Sequence, residues 1–301
     1  MRLIFTLFML STPAILSIPI QSEAQTLRQN SKNTAQGRRS SSPSRSMRRL
    51  AKRAASPSEL EPVFIIRPDL KPEEMRKRTE QFSRRLVELT NRERLKQGLM
   101  PLKRQEDLEN IANWFAKDMA DKQYLNHTDS SSRTVKERAT SFKYEDWDEL
   151  GENIASGYQT PEEVFEGWMK SPGHRKNMLS DNFTEVGFGY AQPKNCDVPY
   201  WVQEFGSRMD IYPLIIDLDG DEATKAETLL HVHGKGWAKE MRFRCDDGDW
   251  THWMPYETSY NWRLCTEKGL HTVKVELRRE GTVRRTEATV VIRKYMKPDK
   301  N

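Results

Sequence analysis

Near residue 208 the apolar pattern of this chain changes period, and that change limits it to two differently built parts. Upstream the spacing is helical. Leu108, Ile111, Ala112, Phe115 and Met119 fall at i, i+3, i+4, i+7 and i+11, one buried helical stripe. Pro72-Glu73-Glu74 opens an earlier helix reaching to about Gln97, with Phe82, Leu86 and Leu89 on one face and Gly98 as its stop. Thr160-Pro161-Glu162-Glu163 reads as a capping box with proline at the first helical position, and Ser171-Pro172 starts a short helix ending near Leu179. Two strands follow, Glu185 to Tyr190 and Tyr200 to Phe205. Downstream only short strands are read: Leu214 to Leu218, Leu229 to His233, Met241 to Cys245, Thr272 to Leu277 and Thr286 to Ile292, separated by Asp/Gly turns. The pattern predicts an α+β layered domain over 68–207 and a small all-β sandwich over 208–301.

The N-terminus predicts export. Arg2 is followed by an apolar run from Leu3 to Ile18, then by Ser22-Glu23-Ala24, a small-x-small cleavage site, so residues 1–24 read as a signal peptide. The run falls short of the ~20 residues a membrane span needs and contains Pro13, which argues against a transmembrane anchor. The expected location is secreted, extracellular or periplasmic. Residues 25–67 read as a disordered basic linker. Between Gln25 and Leu60 nine basic residues face one acid, leaving +8, so a whole-chain charge of +5 leaves −3 elsewhere. A solvated spacer fits this segment best, with an anionic cell-surface polymer as the alternative partner. No aromatic side chain interleaves the charges, so nucleic acid is not an expected partner. In an exported chain Cys245 and Cys265 are the expected disulfide among the three cysteines, and free thiols the alternative.

Several stretches of the helical part carry chemistry in a fixed order: Asn91-Arg92-Glu93-Arg94, Asn126-His127-Thr128, Gly151-Glu152-Asn153-Ile154-Ala155, and Trp168-Met169-Lys170-Ser171-Pro172-Gly173-His174-Arg175. Phe183 to Gly189 and Tyr200 to Gly206 follow. Over about residues 78–206 this order resembles the CAP superfamily (cysteine-rich secretory, antigen 5, pathogenesis-related-1; SCP-like) in its bacterial branch. The resemblance implies an α-β-α sandwich with an open cleft lined by two His and two Glu. His127 and Glu152 match the first His and the first Glu. The second Glu position is Ser171 here, with Glu166 nearby. The second His position is Asn182, and His174 is the nearest substitute.

Two imidazoles and a carboxylate are ligands suited to Zn²⁺, and the same groups can move protons near neutral pH. His127, Glu152 and His174 are therefore the candidate cleft residues and the candidate metal ligands, with Asn153, Ser171, Arg175 and Glu166 in support. Ser171 is better explained as a helix N-cap than as a nucleophile, and Asn153 as an internal amide. Arg94 and Arg175 are expected as scaffold ion pairs. Trp114, Trp168, Trp201 and Phe205 are expected in the core.

The C-terminal segment, with Trp250, Trp253, Tyr256 and Trp262, resembles the immunoglobulin- or fibronectin-like modules of extracellular proteins. Its aromatic cluster is expected in the core rather than on a carbohydrate-binding face. His231 and His233 alternate on one strand and form a further metal pair to test. The whole predicts a secreted binding protein holding a small ligand, lipid or divalent metal in the CAP cleft, with the β-module making extracellular contacts. The alternative is a metal-assisted hydrolase of cell-wall or peptide substrates. The incomplete acid–base set favours binding over enzymatic activity.

Overall fold

The computed structural model describes residues 71–193, 198–220, 222–223, 227–264 and 268–292. The expected signal peptide and basic linker, together with Cys196 and Cys265 and hence the Cys245–Cys265 pairing, lie outside these residues.

Helix α1 (Pro72–Lys96) ends at Gly98, whose φ of +73° lets Leu99 N–H return to the Arg94 carbonyl at 2.9 Å. Strand β1 (Lys103–Arg104) leads into α2 (Glu106–Lys122), where the Gln105 side chain accepts from Leu108 N–H. Then come α3 (Val135–Ser141), β2 (Trp147–Ser156), α4 (Pro161–Lys170), α5 (Pro172–Met178), β3 (Glu185–Ala191) and β4 (Tyr200–Arg208). The four strands form one sheet in the order β1-β3-β4-β2, with β1 parallel to β3 and the other pairs antiparallel.

Helices cover both faces. On one, α1, α4 and α5 bury Phe82, Leu86 and Trp168 against Phe188, Trp201 and Phe205 of β3 and β4. On the other, Ala112, Phe115 and Met119 of α2 pack on Ile154 and Val202. This is the α-β-α sandwich expected. The close seat of α2 depends on two glycines of β3. A Cβ on Gly187 would lie 2.2 Å from the Leu108 backbone, and one on Gly189 would lie 2.1 Å from that of Ala112. The same strand sends Val186, Phe188 and Tyr190 into the opposite core, so its alternation reads large on one face and absent on the other.

Helix α3 and strand β2 are among the elements absent from the sequence pattern. Helix α3 is seven residues long with a Thr134/Glu137 capping box. Strand β2 contains Asp148, Glu149, Gly151, Glu152 and Asn153, residues of low strand propensity, which is why Gly151–Ala155 reads as a loop motif. Ser171 sits between α4 and α5, but its side chain makes no capping hydrogen bond, so it does not act as the expected side-chain cap. α5 is entered through Pro172 and the Ser171 carbonyl, which accepts from Arg175 N–H at 2.8 Å.

Past residue 208 the chain is all-β. β5 (Leu214–Ile216), β7 (Glu227–Val232) and β10 (Ser259–Arg263) form a sheet ordered β10-β7-β5. β6 (Glu222–Ala223), β8 (Glu240–Cys245), β9 (Met254–Pro255), β11 (Gly269–Arg279) and β12 (Thr282–Ile292) form a second, ordered β6-β12-β11-β8-β9. Leu214, Leu230 and Val232 of the first sheet meet Phe243, Val275 and Val290 of the second in one core, a two-sheet sandwich.

The aromatic expectation needs correction. Trp237, Tyr256 and Trp262 pack against this core, but Trp250 and Trp253 lie outside it. They stack on guanidinium groups, Trp250 with Arg242 and Arg244 at 4.9 Å, Trp253 with Arg278 at 4.1 Å. The pair His231 and His233 also parts: Nδ1 of His231 bonds Ser259 Oγ at 2.9 Å, whereas Nε2 of His233 donates to the Pro101 carbonyl at 2.7 Å. That last bond joins the two parts of the chain. So does Asp219, whose carboxylate takes Lys103 Nζ at 2.7 Å and Arg104 N–H at 2.5 Å.

Candidate functional site

β2 is an edge strand, and its successive residues face opposite sides of the sheet. Glu152 therefore points toward α2 and α3, and Asn153 toward α5. Directly across on β4, Glu152 is paired with Glu204 and Asn153 with Gln203. The register thus sets two carboxyl groups side by side in the interior, with Glu152 7% and Glu204 1% exposed.

Their compensation comes from Arg138 of α3, whose side chain is fully buried. Its guanidinium bonds a Glu152 oxygen, approaches Glu204 at 3.8 Å, and stacks 3.7 Å above the Phe115 ring. One cation cannot neutralise two carboxylates. Burial, and next the negative charge of Glu152, hold Glu204 well above the usual carboxylate range.

The other Glu152 oxygen meets His127 Nδ1 at 2.6 Å. Glu152 is shielded while His127 has 61% of its side chain in solvent. The carboxylate therefore fixes the imidazole with Nδ1–H inward and presents Nε2 outward as an acceptor.

The loop carrying His127 is tied at both ends. Asp118 accepts from Ser130 N–H at 3.1 Å and from Tyr124 Oη at 2.5 Å; Asp129 accepts from the backbone N–H groups of Ser131 and Arg133. Burial alone would raise Asp118, but bonds from Lys122, Tyr124 and Ser130 hold its carboxyl far below the ordinary range. Arg138 closes the loop by donating to the carbonyls of His127 and Arg133, both at 3.0 Å.

His174 is held from the other side of β2. Its carbonyl accepts from Asn153 Nδ2 at 3.2 Å, and Asn153 also joins Gln203 and Asn177 at 3.0 Å each. Asn153 is thus the internal amide expected of it. Glu166 lies on the exposed face of α4, paired with Lys170 at 3.2 Å. Arg175 lies against the Met169 sulfur, at 3.9 Å. Arg94 serves as scaffold, but through carbonyls rather than the ion pair expected: it donates to those of Met100, Met178 and Ser180, and burial lowers it to about 10.

The structure therefore brings together His127 and Glu152 and adds Arg138 and Glu204, neither of which the sequence reading assigned a role. The available signal was Gln203-Glu204 inside an otherwise apolar strand, since a buried acid needs a partner. As a metal chelate the expected set fits poorly. Both Glu152 oxygens are engaged, by His127 and Arg138, so the pair offers one outward nitrogen. Among the described residues, the set of three His, Cys, Asp or Glu side chains whose donor atoms lie within 4.8 Å of one another is Cys245, Asp246 and His271. A cleft of about 570 Å³ opens elsewhere, between α1, α2, β1 and Asp219. Its charges are largely spent on one another, as in Arg104–Glu80 at 2.7 Å and Arg104–Glu109 at 2.8 Å. In the cluster around Glu152, the side chain that reaches solvent is the imidazole of His127.

Residues 87–205 match the CAP family, described as the cysteine-rich secretory protein family. The uncharacterized protein YkwD of Bacillus subtilis (strain 168) is 43% identical over 124 residues, 41% of this chain and 46% of the relative. The uncharacterized membrane protein YlbC of the same organism is 30% identical over 145 residues, 48% of this chain and 40% of the relative. The chain thus spans less than half the length of each. An extracellular protein containing an SCP domain from Bacillus anthracis str. Ames is 28% identical, with a TM-score of 0.43 over 46% of this chain and 44% of that one. No helix among the described residues is long and apolar enough to cross a membrane.

Proposed function

With residues 87–205 a CAP domain as the premise, we propose that the chain is exported and works as an extracellular binding protein that takes a small polar ligand at His127. One observation carries this reading: an exposed imidazole whose Nδ1 is fixed by a buried carboxylate, itself anchored by a buried arginine. Such support holds Nε2 in one direction and one tautomer, which lowers the entropy lost on binding. The loop is pinned for the same end. A divalent cation here would receive one imidazole nitrogen, with Glu152 orienting it rather than ligating. The β sandwich, read as an immunoglobulin- or fibronectin-like module, makes the extracellular contacts.

A second reading, metal-assisted hydrolysis of cell-wall or peptide substrates, draws on Glu204, a carboxyl that stands opposite Glu152 in the β2–β4 register and is held well above the usual carboxylate range.

Calorimetric titration of the full chain with ZnCl₂, soluble peptidoglycan fragments and phospholipid vesicles tests the proposal. One saturable event should vanish in His127→Ala and weaken roughly 10- to 100-fold in Glu152→Gln, the usual effect of losing an orienting carboxylate. Binding unchanged in His127→Ala, or no event with any probe, overturns it. Cleavage of the fragments, followed by mass spectrometry and lost in Glu204→Gln, would favour the hydrolase.

A further inference from the structure

A second chemical cluster lies at the rim of the β sandwich. β8 ends at Cys245, and β11 passes beside it with Val273 opposite Cys245. Asp246 follows in the left-handed region at φ +51°, a conformation aspartate tolerates better than most side chains. It is locked onto β11 twice: its N–H donates to the Thr272 carbonyl at 2.7 Å, and its Oδ1 accepts from Thr272 N–H at 2.8 Å. This leaves Oδ2 aimed at His271 Nδ1, 2.8 Å away, and 3.7 Å from Cys245 Sγ. His271 is 8% exposed.

We propose that Cys245, Asp246 and His271 form a binding site for a borderline divalent transition ion of the Zn²⁺ class. Thiolate, imidazole and carboxylate are the donor types such ions select, and hard cations such as Mg²⁺ avoid sulfur. With metal–ligand distances of ~2.0–2.3 Å, a tetrahedral ion separates its donors by roughly 3.3–3.8 Å. The sulfur–oxygen distance already has that size. The oxygen–nitrogen distance is that of a hydrogen bond and opens by roughly half an ångström when the metal replaces the shared proton. The two strands supply rigidity, and the Thr272 contact is the supporting hydrogen bond that ligating carboxylates need. The site shares no residue with the His127 cleft and does not depend on that reading.

The metal and a Cys245–Cys265 disulfide exclude one another, because ligation needs the thiolate. The test therefore uses the reduced full chain titrated with Co²⁺, which reports sulfur ligation through a thiolate-to-cobalt charge-transfer band and four-coordination through intense visible d–d bands. The wild type and His127→Ala should both develop the charge-transfer band at one equivalent. Cys245→Ser should lose it, and His271→Gln should weaken Co²⁺ binding at least tenfold. Zn²⁺ should bleach the bands and raise the melting temperature of the wild type but not of Cys245→Ser. No charge-transfer band in the reduced wild type, or a band that survives in Cys245→Ser, overturns the proposal.

Discussion

Replacing Arg138 by methionine should collapse the site and much of the stability of the helical part. Methionine preserves the length of the aliphatic stem and its packing over Phe115. It removes the guanidinium that compensates Glu152 and that satisfies the carbonyls of His127 and Arg133. Stripping one partner from a fully buried ion pair costs about 3–5 kcal/mol, because the remaining charge is left in the interior. With a urea slope in the upper half of the ~1–3 kcal/mol per M range, the midpoint falls by roughly 1–2 M. Far-ultraviolet circular dichroism at 222 nm isolates the effect, since among the described residues every helix lies before residue 179. Adding Glu152→Gln should recover stability, because no buried charge then lacks a partner. A loss below about 1 kcal/mol, or no recovery in the double variant, would refute the assignment of Arg138 as the counter-charge.

Three other outcomes are expected. Glu204 keeps in the folded state a proton that the unfolded chain releases above its ordinary value of 4.5, so its contribution is complete below that pH and fades as pH rises toward the raised value; Glu204→Gln should flatten this alkaline decline in urea midpoints. Burial lowers His233 to about 4, whereas the unfolded imidazole binds its proton below 6.5; stability should therefore fall by about 2 kcal/mol between pH 6.5 and 4, and His233→Gln, which can still donate to the Pro101 carbonyl, should remove that fall. Gly189→Ala forces a Cβ to 2.1 Å from the backbone of α2 and should lower stability by about 1–3 kcal/mol or more in thermal melts, while Gly173→Ala, with no atom within 4 Å, should be near neutral.

The sequence by itself determined the elements whose signals are local. The stripe from Leu108 to Met119 is a helix because its apolar residues recur once per turn, and α1 stops where Gly98 supplies the left-handed residue. The ordered motifs placed His127 and Glu152 as partners, and the switch from helical to short-strand spacing near residue 208 announced the β sandwich.

Tertiary structure decided what depends on pairing across distance. Glu152 and Glu204 are 52 positions apart, and only the β2–β4 register sets them side by side. Strand β2 was hidden because two of its buried residues, Glu152 and Asn153, are polar, and they are admitted to the interior by Arg138, Gln203 and Asn177 rather than by hydrophobicity. Trp250 and Trp253 read as core but lie over arginines, since an aromatic ring buries equally well against a guanidinium plane. Period and caps are written in neighbouring residues; the compensation of a buried charge is written in whichever strand or helix folds against it.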